Sequence, residues 1–201
     1  ACISTKRNCF GIELNENYAS FARKRIKKES KCYNSKNHSK HIEKLDNNVS
    51  QLFKYQILTD DARNSTQLWK KLKLPKMKFC ITSPPYWNML RTSRGGVESS
   101  HKKHVKEGLD AHYSENASDL GNISGLDNYL SSLVTIFHDF KPILAEKAYL
   151  MIILQNCRPK DGIMRPLAWN FAELLGKYYN LRQEFIWCQD QKYAGIWGYP
   201  T

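Results

Sequence analysis

A hydroxyl side chain, two prolines and two large aromatic rings follow one another at Ser83–Trp87, directly after the apolar run "KFCIT". Because proline cannot donate a ladder hydrogen bond and restricts the residue before it, the two prolines end the strand and fix the backbone. The Ser83 hydroxyl and the Pro84 carbonyl then form a rigid pair of hydrogen-bond acceptors, which suits an amino group on a flat ring. Tyr86 or Trp87 supplies a face on which that ring can stack. The alternative is an ordinary strand-ending turn whose aromatic rings cover the core.

Acidic residues end two other apolar runs. Glu13 closes the run "CFGIEL", and Asp60 and Asp61 close the run "YQILTDD". In open α/β sheets, ligands bind beyond the carboxyl ends of the strands, so these carboxylates could accept hydrogen bonds from ribose hydroxyls and from an adenine amino group. The alternatives are local roles, with Glu13 as a carboxylate at a helix N-terminus and the aspartates as turn or capping residues.

Strands and helices are predicted to alternate along the chain. Five apolar runs are predicted to be strands, at residues 8–14, 55–60, 78–82, 148–154 and 182–189. Several of them are nearly continuous in apolar residues, which suits strands buried on both faces of a parallel sheet. Three amphipathic helices are predicted at residues 17–28, 127–140 and 167–178. In the first of them the apolar stripe is predicted to run through Tyr18, Phe21, Ala22 and Ile26. This alternation favours an α/β fold with a doubly wound, mostly parallel sheet.

A single domain over residues 1–201 is predicted, because this length suffices for one sizeable core. Two polar segments interrupt it. Residues 27–50 are basic and are predicted to form a surface excursion that is part helix and part loop, whereas residues 91–118 form a long polar loop. No apolar run approaches the length of a membrane span, so no membrane partner is predicted.

The charge of the chain favours a polyanionic partner. Thirty-one Lys and Arg residues face 19 Asp and Glu residues, for a net charge of +12. Nucleic acid is the commonest partner of such a surplus, and a soluble protein with a basic bias is the alternative. The six cysteines form no C-x-x-C pair, so we predict reduced thiols and no metal site. Cys80 lies inside an apolar run and is predicted to be a packed core thiol.

Three blocks of the sequence follow one another along the chain: "CFGIELNENYASFARKRI", "ILTDDAR" and "ITSPPYWNML". They resemble the S-adenosylmethionine-dependent DNA amino-methyltransferases, which methylate cytosine at N4 or adenine at N6. Pieces further on, among them "YSENASDLGNI" and "RPLAWNFAELL", are similar to downstream parts of that family, so the resemblance covers nearly the whole chain. Its most specific element is T-S-P-P-Y-W, in register with the other two blocks.

The resemblance implies S-adenosylmethionine as the cofactor and assigns residues to it. Glu13, with Leu14 beside it, matches the acidic residue that binds the cofactor ribose. Asp61, followed by Ala62, matches the acidic residue near the cofactor adenine.

The resemblance also assigns the residues that hold the target base. Ser83, Pro84, Pro85 and Tyr86 match the catalytic motif, with Tyr86 or Trp87 as the stacking face, and the segment "DLGNI" matches a loop that would shape the site. The implied partner is DNA whose target base is flipped out of the stack. Serine at position 83 favours N4-cytosine over N6-adenine. Phosphates would be contacted by Arg23, Lys24, Lys27, Lys28, Lys70, Lys71 and Lys73.

Two other functions remain open at this point. One is an RNA or protein amide methyltransferase with a related motif, and the other is a catalytically silent DNA-binding subunit of the same fold. The family's Gly-rich cofactor loop and first strand are expected before Glu13 and are not seen in this sequence, so we expect upstream sequence or a second chain to supply them. The expected location is the cytoplasm for a bacterial, archaeal or phage protein and the nucleus for a eukaryotic one.

Overall fold

The computed structural model describes residues 2–5, 7–37, 55–87, 116–159 and 161–187, with the backbone alone for 31–37. Strands and helices alternate in this part of the chain, so the fold is α/β. In chain order the elements are β1 (Cys9–Glu13), α1 (Glu16–Asn37), β2 (Tyr55–Thr59), α2 (Ser65–Lys71), β3 (Met77–Thr82), α3 (Leu126–His138), β4 (Leu144–Ile152) and α4 (Leu167–Leu175).

The described strands form two separate parallel pairs. β1 pairs with β2 from Cys9 opposite Tyr55 to Glu13 opposite Thr59. β3 pairs with β4, in register from Phe79 onward, with an irregularity between Met77 and Phe79. No ladder joins one pair to the other within the described residues. Since parallel strands of a pair end on the same side, the acidic ends of β1 and β2 are neighbours.

The core lies between α3, α4 and one face of the β3–β4 pair. Tyr129 and Leu133 on α3 and Leu167 on α4 are the largest side chains that are fully buried. Cys80 of β3 and Leu150 of β4 are partly buried and pack against this cluster. The helices at 126–138 and 167–175 therefore bury most of the apolar stripes that their periodicity predicts. Tyr178, in the predicted stripe of the second helix, lies beyond Leu175 and is 41% exposed.

The opposite face of the β3–β4 pair is open in the described structure. Phe79 and Ile81 on β3 and Tyr149 and Met151 on β4 are each between 42% and 57% exposed. These residues are register partners, so their side chains share one face. The pair is therefore covered on one side only by the described residues, although parallel strands are usually buried on both.

Helix α2, which the sequence analysis does not predict, connects the two strand pairs. Its Trp69 stacks edge-on against Phe10 of β1, with the ring centroids 5.3 Å apart. The same Trp69 packs against the core of α3 and α4. Thr66 donates a hydrogen bond to the Asp139 carbonyl just beyond α3, at 2.5 Å.

Several predicted boundaries need correction. The strand predicted at 182–189 is wrong over its described part, because residues 182–187 are exposed and join no ladder among the described residues. An apolar run forms a strand only where a neighbour can pair with it. β4 begins at Leu144 rather than 148, since Met77 pairs with Leu144 across the irregularity.

Helix α1 also departs from its predicted form. It continues to Asn37, well into the predicted excursion at 27–50, of which residues 38–50 lie outside the described residues. Among its described side chains Ala19 is fully buried and Ala22 and Ile26 are half-buried, whereas Tyr18 and Phe21 are 45% and 71% exposed. The predicted apolar stripe is therefore buried at Ala22 and Ile26 and wrong at Tyr18 and Phe21. Of the loop predicted at 91–118, residues 91–115 lie outside the described part.

The described cysteines Cys2, Cys9, Cys80 and Cys157 are free thiols. Burial raises the pKa of Cys80 to about 11. Burial also raises the pKa of Cys9 to about 11, with a smaller contribution from the neighbouring Cys2. Both thiols therefore stay protonated near neutral pH, which agrees with the prediction of a packed core thiol at position 80.

The raised pKa of Cys80 predicts a loss of stability in alkali. Below pH 9 the thiol is protonated in both states, but between pH 9 and 11 it ionises only in the unfolded chain, so the free energy of unfolding falls. A difference of two in pKa corresponds to about 3 kcal/mol. Urea unfolding across this range should show a flatter pH dependence for Cys80→Ala and for Cys80→Ser than for the natural protein. If the free energy of unfolding falls with pH as steeply in both variants as in the natural protein, the raised pKa of Cys80 would be contradicted.

Candidate functional site

The motif at Ser83–Trp87 begins where the β3–β4 ladder ends. Thr82 accepts the last hydrogen bond, from the backbone N–H of Ile153 at 2.9 Å. Pro84 is then buried while Ser83 stays exposed. The chain turns sharply after Pro85, whose carbonyl accepts from the Trp87 backbone N–H at 2.9 Å. The prolines thus hold the Ser83 side chain at the carboxyl end of a strand and toward solvent.

The two hydroxyl groups of the motif contact each other. Ser83 Oγ lies 3.0 Å from the hydroxyl oxygen of Tyr86, and either can donate. A serine hydroxyl has one proton and two acceptor lone pairs. When Ser83 donates its proton to Tyr86, both of its lone pairs are left to accept from an amino group. Tyr86 can therefore orient Ser83 as an acceptor.

The carbonyl groups of the two prolines have different environments. Pro85 accepts a second hydrogen bond, from the hydroxyl of Tyr129 on α3. Tyr129 is fully buried, so this bond fixes the turn to the core. No described residue donates to the Pro84 carbonyl. Of the two carbonyls, that of Pro84 is therefore the one without a donor among the described residues.

Trp87 is held against the protein rather than left free. Its ring N–H donates to the Ile123 carbonyl at 3.2 Å, and the ring packs against the core cluster. Its backbone has a φ of +51°, a left-handed conformation that costs an L-residue about 1–2 kcal/mol. Such conformations persist where the surroundings impose them, and they cluster at functional sites.

The predicted loop "DLGNI" lies against the motif. A Cβ atom added at Gly121 would lie 3.5 Å from the Cβ of Pro85 and 3.6 Å from the Trp87 carbonyl oxygen. Asp119 is 4% exposed, and its side chain accepts from the Gly121 backbone N–H at 2.8 Å. The loop therefore supports the motif from one side while Tyr129 supports it from another.

The acidic residues meet at the carboxyl ends of β1 and β2. The backbone N–H of Asp60 donates to the Glu13 carbonyl at 3.1 Å. Glu13 Oε1 accepts from the Asn15 backbone N–H at 2.9 Å, and no described residue donates to Oε2. The neighbouring Leu14 is half-buried. Asp60 Oδ1 accepts from the Asp61 backbone N–H and from the Asn64 side chain, each at 2.7 Å.

Asp61 caps the short 3₁₀ helix Ala62–Asn64. Its Oδ1 accepts from the Arg63 backbone N–H at 2.9 Å and lies 3.3 Å from Arg63 Nε. The capping role that the sequence leaves open as an alternative is thus present. Asp61 Oδ2 accepts from no described residue, and Ala62 beside it is exposed.

Two residues of this region are missed by sequence reasoning. Arg63 donates from Nη2 to the Ser118 carbonyl, and so ties the end of β2 to the segment before "DLGNI". Tyr129 reaches Pro85 from 44 residues away. No local pattern reveals either contact, because both depend on how distant segments pack.

The predicted phosphate-binding residues differ in the contacts that their side chains make with the rest of the protein. Arg23 is engaged by other residues of the chain, since it contacts Glu16 Oε1 at 2.5 Å and Thr59 Oγ1 at 3.1 Å. Lys24 lies 6.0 Å from the centroid of the Phe21 ring. The lysines of this set are all exposed, and they are Lys24, Lys27 and Lys28 on α1 and Lys70, Lys71 and Lys73 at the end of α2. Lys73 has a left-handed backbone, with a φ of +50°.

No protein-family model matches the chain, and searches among characterised proteins and among solved structures returned no match. Among the described helices, none has both the length and the apolar character that crossing a membrane requires. Across the described ranges, no three His, Cys, Asp or Glu side chains are grouped so as to hold a metal ion.

Proposed function

We propose that this chain is the catalytic domain of an S-adenosylmethionine-dependent DNA amino-methyltransferase, with N4 of cytosine favoured over N6 of adenine. The observation that carries the proposal is the geometry of Ser83–Trp87. The Ser83 hydroxyl is exposed and the Pro84 carbonyl has no donor among the described residues, while Pro85 and Trp87 are fixed to the protein. A rigid acceptor pair beside an aromatic ring is what an amino group on a flat base requires.

The two acceptors activate the base by holding its N–H groups. The lone pair of an exocyclic amine is delocalised into the ring, which makes the amine a poor nucleophile. Acceptance from both N–H groups by Ser83 Oγ and the Pro84 carbonyl favours a tetrahedral nitrogen with a localised lone pair. Much of the acceleration would come from orientation of the amine. The cofactor would supply the electrophilic methyl group.

The acidic residues fit the groups that the cofactor presents. Glu13 keeps Oε2 without a donor among the described residues, and Oε1 can accept a second bond, so the carboxylate can hold both ribose hydroxyls. Asp61 keeps Oδ2 for an adenine amino group. Tyr86, rather than the packed Trp87, is favoured as the stacking face for a flipped base. The exposed lysines of α1 and α2 would contact phosphates.

The finer architecture belongs to the same proposal. A doubly wound sheet would place one further strand between β1 and β3, and the separation of the described strands into two parallel pairs is compatible with that arrangement. The Gly-rich cofactor loop would precede that strand.

Cofactor binding separates this proposal from a silent DNA-binding subunit. Calorimetry on the natural full-length protein should show binding of S-adenosylmethionine. Glu13→Gln should weaken it by about tenfold or more, because a hydrogen bond to a charged group contributes about 1.5–3 kcal/mol. Glu173→Gln, on the exposed side of α4, is the matched control and should leave affinity unchanged. Absence of binding by the natural protein would favour the silent subunit, and methylation of RNA in preference to DNA would favour an RNA enzyme.

A further inference from the structure

Arg63 lies between the two halves of the candidate site. On one side its backbone N–H and its Nε contact Asp61 Oδ1, at 2.9 Å and 3.3 Å. On the other side its Nη2 donates to the Ser118 carbonyl. A planar guanidinium can make such contacts in two directions at once, which a lysine ammonium cannot reproduce in the same geometry.

The segment that Arg63 reaches is held together by its own hydrogen bonds. The side chain of Asn116 accepts from the Ser118 backbone N–H at 2.9 Å, and its carbonyl accepts from the Asn122 side chain at 2.8 Å. The Asn122 backbone N–H donates to the Asp119 carbonyl at 2.9 Å. We name residues 116–123 the buttress loop. These bonds hold the segment together.

The C-terminal end of the buttress loop contacts the catalytic motif. The Ile123 carbonyl accepts from the Trp87 ring at 3.2 Å, and Gly121 packs against Pro85 and Trp87. Within the described residues the strand pair that carries Asp61 and the strand pair that carries the motif share no ladder. The path from Asp61 through Arg63 and the buttress loop to Trp87 therefore connects side chains at the strand ends, where no ladder between the described strands joins them.

We propose that Arg63 is a positioning residue that sets the catalytic motif relative to the acidic end of β2. This inference rests on the proposed function. The Arg63 side chain is 44% exposed, so its ion pair with Asp61 is screened by solvent and contributes little to stability. Its role is geometric, because a displacement of about 1 Å at a reacting group can lower a rate about 100-fold.

The test observes Trp87 directly and needs no activity. The chain has five tryptophans, so protein labelled with 5-fluorotryptophan gives separate ¹⁹F resonances, and the variants Trp87→Phe and Trp169→Phe assign those of Trp87 and Trp169. In Arg63→Gln the Trp87 resonance should shift or broaden while the Trp169 resonance stays in place and the melting temperature changes by only a few degrees. Arg182→Gln removes an exposed arginine outside the site and should leave both the Trp87 and the Trp169 resonance unchanged.

Activity gives the second measurement. Arg63→Gln should lower kcat for methyl transfer by about tenfold or more, with a smaller change in KM for DNA. Arg63→Lys keeps the charge and should show an intermediate change in both the Trp87 resonance and the rate. If Arg63→Gln fails to fold, Arg63→Lys is compared with the natural protein in its place. An unchanged Trp87 resonance in the folded variants, or the same change in Arg182→Gln, would overturn the inference. If the natural protein transfers no methyl group while the Trp87 resonance still changes in the Arg63 variants, the proposed function is wrong but Arg63 still positions Trp87.

Discussion

Replacing Ser83 by alanine should lower the turnover of methyl transfer to DNA by about 100-fold or more, while cofactor affinity stays within about threefold. The magnitude follows from losses measured when one preorganised hydrogen-bond partner of a reacting group is removed. Ser83 is exposed at the strand end and contacts Tyr86, so its removal deletes an acceptor without opening a core cavity. Single-turnover kinetics and calorimetry on the same preparation separate the two quantities.

The control for this prediction is Ser131→Ala, an exposed serine on α3. It should leave both turnover and cofactor affinity unchanged. A loss of turnover and of cofactor affinity by the same factor in Ser83→Ala would argue against Ser83 as an acceptor for the target amine.

Two substitutions of Tyr86 should have unequal effects. Tyr86→Ala removes the ring, and kcat/KM for DNA should fall by about 10- to 100-fold, because stacking of a base on an aromatic side chain contributes about 1–3 kcal/mol. Tyr86→Phe keeps the ring and removes only the hydroxyl that lies 3.0 Å from Ser83, so the loss should be several-fold. Kinetics with matched and mispaired target bases measure both, and a mispaired base should rescue part of the loss because it is easier to flip.

Tyr178→Ala is the matched control, since Tyr178 is 41% exposed beyond α4 and outside the motif. It should leave kcat/KM for DNA unchanged. Equal losses in Tyr86→Phe and Tyr86→Ala would move the role of Tyr86 from stacking to orientation of Ser83. Wild-type activity in Tyr86→Ala would remove Tyr86 from the site.

Local sequence predicted the carboxyl ends of β1, β2 and β3 well because their signals are local. The apolar runs before Glu13 and Asp60 form a parallel pair, and the run before Ser83 ends where the prolines stop it. The run at 182–189 carried the same apolar signal, yet its described residues pair with no strand. Pairing depends on a neighbour that a local pattern cannot supply.

Contacts across long separations in the chain explain what the sequence did not predict. Trp69 on α2 packs against Phe10 of β1 and against the buried cluster of α3 and α4, although its short helix has no long apolar stripe to reveal it. Tyr129 was assigned no role from the sequence, and its hydroxyl holds Pro85. Trp87 was considered a stacking face, but its ring donates to Ile123 and packs inward. Each of these roles depends on a partner more than 30 residues away or on another element.

The central claim is tested most directly by transfer of tritium from labelled S-adenosylmethionine to DNA with the natural full-length protein, followed by analysis of the nucleosides. We predict label in N4-methylcytosine. Label in N6-methyladenine would support methylation of an exocyclic amine and would show that the target base is adenine rather than cytosine. Label at C5 of cytosine, or none on DNA, would contradict the claim that Ser83 and Pro84 present a target amine for methylation.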